Sequence, residues 1–212
     1  MRDAVRGLAI GLAVLALAGA IASRTGWAAI DVPRPDGTGA WMLARATGYA
    51  AFTALALDVL AGLLVSTRAG DRWIPRAALV DVHGWLSPLA LALVAGHGLV
   101  LLADSYIRFD ALDVLVPFAS RYRPVAVGLG VIAAYAAAVV HASFALRRTI
   151  GTKMWRRLHQ LSFVALAGAA LHAFFAGTDA SQGWAIAICA PPLALVGVLV
   201  GLRIWRRARV LL

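Results

Sequence analysis

Long runs of apolar residues alternate with short polar stretches along the whole chain. Six of these runs are close to the roughly 20 residues with which a helix crosses a hydrocarbon core of about 30 Å. They cover approximately residues 4–23, 41–66, 79–103, 124–147, 157–176 and 184–205. Turn residues or charges fill the stretches between them, as in 31–39 and 149–153. The pattern predicts an all-α integral membrane protein, a six-helix bundle that forms one transmembrane domain over residues 1–212.

The first apolar run has a second interpretation. Arg2 and Arg6 precede it and Ala20-Ile21-Ala22 lies at its end, which together resemble a secretory signal peptide with its cleavage site. We expect the run to be retained as a helix. If it were removed, the other five spans would keep their orientation.

Composition supports a membrane protein. Hydrophobic residues make up 62% of the 212 residues, charged residues 14%, and the mean hydropathy is +0.82. These values leave no room for a large soluble domain. The net charge of +10 could suit nucleic acid, but the arginines cluster at the ends of apolar runs, which indicates lipid headgroups and argues against nucleic acid. Cys189 is the single cysteine, so an intrachain disulfide is excluded.

The distribution of positive charge predicts the orientation in the membrane. With the N-terminus inside, the inner side carries Arg2, Arg6, Arg68, Arg72, Arg76, Arg147, Arg148, Lys153, Arg156, Arg157, Arg203, Arg206, Arg207 and Arg209. The outer side carries only Arg24, Arg34, Arg108, Arg121 and Arg123. Because positive loops stay in the cytoplasm, we expect a multi-pass protein of the inner (plasma) membrane with both termini cytoplasmic.

Four of the five histidines form two matched pairs on two apolar runs. His83 and His97 lie on the third run, and His159 and His172 lie on the fifth. Spacings of fourteen and thirteen residues cover roughly 20 Å of helix, so each helix has one imidazole near each membrane face. Two such helices side by side would present two facing pairs of imidazoles, and facing neutral imidazoles are natural axial ligands of a haem iron.

The histidine pattern therefore predicts two haems stacked in line across the bilayer. His83 and His159 would bind the inner haem, and His97 and His172 the outer one. Small residues near these histidines would let helices and a flat macrocycle approach closely; they are Gly84, Gly96, Gly98 and Gly168. Hydrogen-bonded packing, a zinc site and a proton relay are the alternatives, although neither HExxH nor a Cys/His cluster at short spacing is present.

The two histidine spacings differ in their rotation about the helix axis. On an ideal helix fourteen residues return to within about 40° of the same face, whereas thirteen leave an offset of about 140°. The fifth span must therefore bend, contain a local irregularity, or approach the two haems from different sides. Pro88 lies between the histidines of the third span and predicts a kink there.

Three polar residues inside the spans and one aromatic residue are auxiliary candidates. Asp58 and His141 fall at similar inner depths, where they could form a buried pair, assist proton balance, or hydrogen-bond across helices. His141 could also replace His159 as the inner ligand, which we consider the weaker assignment. Arg45 lies at the outer level and could snorkel to headgroups. Trp155, one turn before His159, either anchors the helix at the interface or covers the edge of the inner haem.

Several motifs of the chain resemble those of a known family. Beside the His83/His97 pair, they are Arg45-Ala-Thr-Gly-Tyr49, Pro117-Phe-Ala-Ser-Arg-Tyr-Arg-Pro124, Trp155-Arg-Arg-Leu-His159, and His172 with Ala176-Gly-Thr-Asp179. This set, over about two-thirds of the chain, resembles the ferric reductase-like transmembrane domain of NADPH oxidases and of the haem subunit of periplasmic methionine sulfoxide reductase. The resemblance implies b-type haems, and the absence of CxxCH agrees with non-covalent binding. It also implies that Arg45 pairs with an outer haem propionate.

The expected function is a two-haem transmembrane electron conduit of the ferric reductase type. Electrons would pass from the cytoplasmic side to an acceptor outside, which is a ferric chelate, oxygen or a protein. The alternatives are the haem subunit of a periplasmic methionine sulfoxide reductase, and a non-haem transporter with Arg45, Asp58 and His141 on a polar path. No GxGxxG follows a strand-like segment, so we expect neither a flavin nor a nicotinamide site, and a separate flavoprotein reductase or a quinol as donor.

Overall fold

The computed structural model describes residues 38–104 and 107–210. Its helices are α1 (Thr38–Thr67), α2 (Arg76–Leu102), α3 (Ala111–Leu115), α4 (Pro124–Ala145), α5 (Arg147–His159), α6 (Leu161–Ala176) and α7 (Gly183–Val210). The described residues contain no strand. Helices of this length suit the sequence, because a helix satisfies its own backbone hydrogen bonds where lipid offers none. The predicted span 4–23 lies outside the described residues.

Five segments of the described chain are long and apolar enough to cross a membrane. Four are single helices, α1, α2, α4 and α7, and they agree with the predicted spans to within a few residues. The fifth consists of α5 and α6 together, residues Arg147–Ala176. The prediction of an all-α fold is confirmed for this part of the chain, and its long apolar helices are compatible with a multi-pass membrane protein. The short helix α3 was not predicted, because five residues are too few to show a periodic pattern.

The fifth span is interrupted where the 13-residue spacing requires it. Helix α5 extends from Arg147 to His159, with a non-helical backbone at Gly151 (φ 77°, ψ 159°), and α6 begins at Leu161. At the junction the backbone N–H of Gln160 bonds to the carbonyl of Arg157, three residues back. A turn of this type advances about 120° per residue instead of 100°, which reduces the rotational offset between His159 and His172. The expected local irregularity is present.

Helix α1 is the centre of the bundle. It packs along α2 and also contacts α6 and α7, while α4 packs mainly along α6. Small side chains such as Ala44, Ala51, Ala56 and Ala61 fill its buried face, so neighbouring helices approach closely. Helices α2 and α6, which carry the histidines, make hardly any backbone contact with each other. They lie on opposite sides of a gap between α1 and α4.

The loop before α4 closes one end of this gap. Tyr122 donates a hydrogen bond from its hydroxyl to the carbonyl of Ala176 at 3.1 Å, and the Arg123 guanidinium donates to the carbonyl of Phe175 at 2.5 Å. Both carbonyls lie at the C-terminus of α6, where no backbone N–H of the helix is left to bond them. The loop therefore fixes the end of α6 one turn beyond His172.

Basic residues gather at one end of the bundle. This end holds the α1–α2 loop, helix α5 and the C-terminus of α7, with exposed Arg72, Arg76, Arg148, Lys153, Arg156 and Arg157. His83 and His159 lie near this end, and His97 and His172 lie near the other. The segregation of charge agrees with the arginine pattern from which the cytoplasmic orientation was predicted.

Replacing Gly128 by Ala should destabilise the bundle. Its Cβ would contact the ring of Phe118 and lie 2.8 Å from the backbone nitrogen of that residue, so the loop would have to shift. Overpacking of this kind costs about 1–3 kcal/mol. Thermal unfolding in detergent measures the effect. Gly197→Ala is the control, because that Cβ meets nothing within 4 Å, and an equal loss of stability in both variants would contradict the prediction.

Candidate functional site

The four paired histidines face one another across the gap between α2 and α6. The ring centres of His83 and His159 are 6.0 Å apart, and those of His97 and His172 are 6.2 Å apart. The ring planes within each pair are close to perpendicular, at 84° and 77°. The structure thus brings together the two pairs that the sequence predicts, one near each end of the bundle.

Three of the four imidazoles are held by a hydrogen bond at Nδ1. His97 bonds to the carbonyl of Ala44 at 2.7 Å, and His172 bonds to the carbonyl of Ala126 at 2.9 Å. His83 bonds to the carbonyl of Asp58 at 3.1 Å. Since a carbonyl only accepts, Nδ1 of each ring carries the proton and Nε2 keeps its lone pair. Histidine ligands of metals are typically fixed in this way.

A glycine four residues beyond each accepting carbonyl makes these hydrogen bonds possible. The carbonyls belong to residues 44, 58 and 126, and the glycines are Gly48, Gly62 and Gly130. A side chain on a helix covers the turn that precedes it, so a larger residue at these positions would cover the carbonyl. An added Cβ would lie 3.2 Å from the His97 ring, 3.2 Å from the His83 ring and 2.6 Å from Nδ1 of His172.

We call this combination of a carbonyl at position i and a glycine at position i+4 a carbonyl notch. The same arrangement occurs twice on α1, fourteen residues apart, and matches the spacing of His83 and His97 on the antiparallel α2. It occurs once on α4, opposite His172. The carbonyl accepts the normal helical N–H and also the imidazole, because its oxygen has two lone pairs. Each notch therefore orients one ring through a backbone carbonyl.

His159 is held differently. Its ring lies 5.3 Å from the ring of Trp155 at an angle of 31°, and the Arg147 guanidinium lies 5.6 Å from the centre of the same indole. His159 lies thirteen residues before His172, so a matching notch on the antiparallel α4 would have its glycine thirteen residues after Gly130. That position is the buried Ser143. Among the described residues the buried indole nitrogen of Trp155 has no hydrogen-bond partner. Trp155 therefore contacts the predicted inner ligand, whichever of its two predicted roles applies.

Both pairs have the separation that a shared metal ion requires. Two imidazoles that bind one metal from opposite sides, each through a bond of about 2 Å, have ring centres about 6 Å apart. An edge-to-face contact between aromatic rings has a similar separation. Such a contact would not explain why the hydrogen bonds at Nδ1 leave Nε2 free to bind a metal. No group of three or more His, Cys, Asp and Glu side chains placed for a metal occurs within residues 38–104 and 107–210. Two imidazoles suit a haem iron, whose four other ligands come from the macrocycle.

A large apolar cavity surrounds the His97–His172 pair. Its volume is about 210 Å³, and most of the surface that lines it is apolar. The lining comes from all four surrounding helices and includes Phe52, Leu55, Val94, Val131 and Ala169. Small and aliphatic side chains on four sides fit a flat, apolar macrocycle.

Arg45 and Tyr49 lie at the mouth of this cavity. The Arg45 guanidinium forms an ion pair with the carboxylate of Asp179, in the turn after α6. Both side chains are partly exposed. The structure places Arg45 at the level of His97 and His172, as predicted, and shows a carboxylate of the chain as its partner. The predicted pairing with a haem propionate stays a prediction.

Asp58 and His141 do not contact each other. The Asp58 carboxylate lies 2.7 Å from Nδ1 of His83, and the ring of His141 lies 3.2 Å from the hydroxyl of Ser87. His159, and not His141, stands opposite His83. The three residues of the proposed polar path, Arg45, Asp58 and His141, thus make three separate contacts.

The four glycines predicted from the sequence do not contact the imidazoles. Gly84 and Gly96 face open space, Gly98 packs on Val114, and Gly168 packs on Ala133. The glycines that contact imidazoles are on the neighbouring helices, at 48, 62 and 130. One signal could have found two of them: Gly48 and Gly62 are fourteen residues apart, which is also the spacing of His83 and His97.

Gly130→Ala should disturb the His97–His172 pair selectively. The new Cβ would lie 2.6 Å from Nδ1 and 2.8 Å from Cγ of His172, so the ring would have to leave the Ala126 carbonyl. According to the two-haem prediction, this variant should lose half of the haem. The absorption spectrum of the purified variant measures this loss, with Gly197→Ala as the control. Full haem content in the Gly130 variant would show that the notch is not needed.

Comparisons with protein-family models, with curated proteins and with solved structures find no match for this chain. The resemblance to the ferric reductase-like domain is therefore a prediction from its motifs. The functional argument rests on the geometry of the four histidines and the helices that hold them.

Proposed function

We propose that this protein is a two-haem transmembrane electron conduit of the ferric reductase type. The observation that carries the proposal is the repeated geometry of the imidazole pairs, with ring centres 6.0 and 6.2 Å apart on opposite sides of one gap. A b-type haem bound by each pair would accept and release one electron at a time. A packed membrane helix has no other ready use for four histidines at two matched depths, because ionisable groups in the membrane are costly.

The chain's own residues have three tasks in this function. The Nε2 atoms of the four histidines would bind the irons. The carbonyl notches fix the rings of His83, His97 and His172, so these side chains would lose little conformational freedom when they bind an iron. The apolar lining between the pairs, including Leu55 and Ala90, excludes water from the path between the two sites.

We place the His83–His159 pair on the cytoplasmic side of a plasma membrane, because the basic residues gather at that end. Electrons would enter there and leave from the His97–His172 pair to an acceptor outside, a ferric chelate, oxygen or a protein. If the acceptor is a protein, the chain would be the haem subunit of a periplasmic methionine sulfoxide reductase system. Both versions need two haems, so they share the first test.

Single histidine variants should remove one haem at a time. Purified protein should bind two haems with the spectrum of bis-histidine, low-spin iron. His97→Ala and His172→Ala should each lose the haem at one end, and His83→Ala and His159→Ala the haem at the other, because each variant removes one of two axial ligands. Haem per chain is measured from the absorption of the reduced protein.

The fifth histidine provides the matched control. His141 is exposed on α4 and contacts Ser87, so His141→Ala should keep both haems. Purified wild-type protein with one haem would refute the two-site proposal. Protein without any reducible haem would favour the transporter with a polar path. Loss of haem in the His141 variant would show that the ligands are assigned incorrectly.

The donor should be a separate protein or a quinol. The exposed basic residues of α5, among them Lys153, Arg156 and Arg157, suit both anionic lipid headgroups and an acidic flavoprotein. We expect NADH or NADPH alone to leave the haems oxidised, and an added flavoprotein reductase or quinol to reduce them. Stopped-flow absorption measures the rate, which should fall with salt if a flavoprotein docks on this face. Rapid reduction by a nicotinamide without a partner would contradict the prediction.

A further inference from the structure

The two carbonyl notches of α1 differ in one residue. At the His97 end the accepting carbonyl belongs to Ala44, and at the His83 end it belongs to Asp58. Each ring faces a glycine one turn further along α1, and the carbonyl of Ala44 also accepts a hydrogen bond from the Thr47 hydroxyl at 3.0 Å. The difference in charge is the carboxylate of Asp58, which lies 2.7 Å from Nδ1 of His83 and is buried, with 8% of the residue exposed.

We propose that Asp58 is a positioning residue that lowers the reduction potential at the His83–His159 pair below that at the His97–His172 pair. The inference rests on the proposed function. The negative charge of the carboxylate, 2.7 Å from Nδ1 of His83, makes Nε2 a stronger donor to a bound iron than a neutral carbonyl alone does. A buried negative charge close to the iron also favours its oxidised, more positive state. Both effects act in the same direction.

Other charges do not cancel this difference. At the His97 end both Nδ1 atoms bond to neutral carbonyls, and Arg45 is neutralised by Asp179. At the other end Arg203, near the C-terminus of α7, is within range of a charge interaction with His159, and so is Asp58. Arg147, which lies over the Trp155 ring, and the basic residues of α5 are exposed, so solvent and salt screen their charges. Asp58 is buried and touches His83 directly, so the carboxylate should dominate.

The consequence is a direction for electron transfer. An electron at the lower potential, beside His83 and His159, moves spontaneously to the higher potential beside His97 and His172. One site is oxidised by one electron and the other is reduced by one, with no proton or further reactant involved. A difference of 59 mV corresponds to a tenfold preference for the second site. The fold would thus favour transfer away from the basic end of the bundle.

Asp58→Ala tests the proposal, because it gives the His83 notch the residue that the His97 notch has. A redox titration followed by absorption should show two components in wild-type protein. In the variant the lower component should rise by 59 mV or more, a tenfold change in the equilibrium between the sites, and the upper component should stay within a fraction of that shift. The low-spin spectral signature of the lower component should change with it.

Asp81→Asn is the matched control. It removes the same charge from the turn of α2 that carries His83, but residues two apart on a helix do not share a face, and Asp81 is exposed. Its potentials should match those of wild-type protein. An equal shift in both variants would overturn the role of the direct contact between the carboxylate and His83. Unchanged potentials in Asp58→Ala would overturn the proposal, while two bound haems would leave the proposed function intact.

A second measurement covers the case in which Asp58→Ala does not retain its haem. His172→Ala should keep only the haem at the His83–His159 pair, and the potential of that haem should match the lower wild-type component. A match with the upper component would overturn the proposal. Wild-type protein that binds no haem would instead refute the proposed function.

Discussion

The hydrogen bond from an imidazole to a helical carbonyl is the contact on which the site depends. A membrane interior offers no water to orient a histidine ring, and an unpaired ring nitrogen there costs several kcal/mol. The chain solves this by exposing carbonyls of α1 and α4 with a glycine one turn further along, as at Ala44 and Gly48. The ring is then fixed by backbone, and its second nitrogen is left for a ligand.

This contact also explains how the bundle is arranged. Helix α1 must lie close to α2, and α4 close to α6, since each histidine reaches the backbone of its neighbour. The two helix pairs then face each other across a gap that is bridged by imidazoles near both ends. Alanine and glycine are frequent in these contacts because any larger side chain would separate helix from helix or cover a carbonyl. Close packing and ligand orientation are thus one requirement.

The break between α5 and α6 shows how local geometry serves the same requirement. A regular helix would rotate His159 far from the face that carries His172. The tighter turn at Gln160 reduces the offset, and Trp155 packs against the ring of His159. One histidine of the four therefore contacts an aromatic side chain where the other three bond to a helical carbonyl.

The sequence by itself determined the spans and the pairing of the histidines. Apolar runs of 20 or more residues can only cross a bilayer as helices, and a spacing of thirteen or fourteen residues fixes the depth of each histidine in its helix. The contacts between helices could not be predicted from the sequence, because the depth of a residue does not say which face of one helix meets which face of another. Only the tertiary structure joined His83 to Asp58, separated Asp58 from His141, and assigned the decisive glycines to α1 and α4. The physical reason is that these contacts link residues 25 or more positions apart in the sequence. At that separation the packing of the helices, and not the local sequence pattern, determines which residues meet.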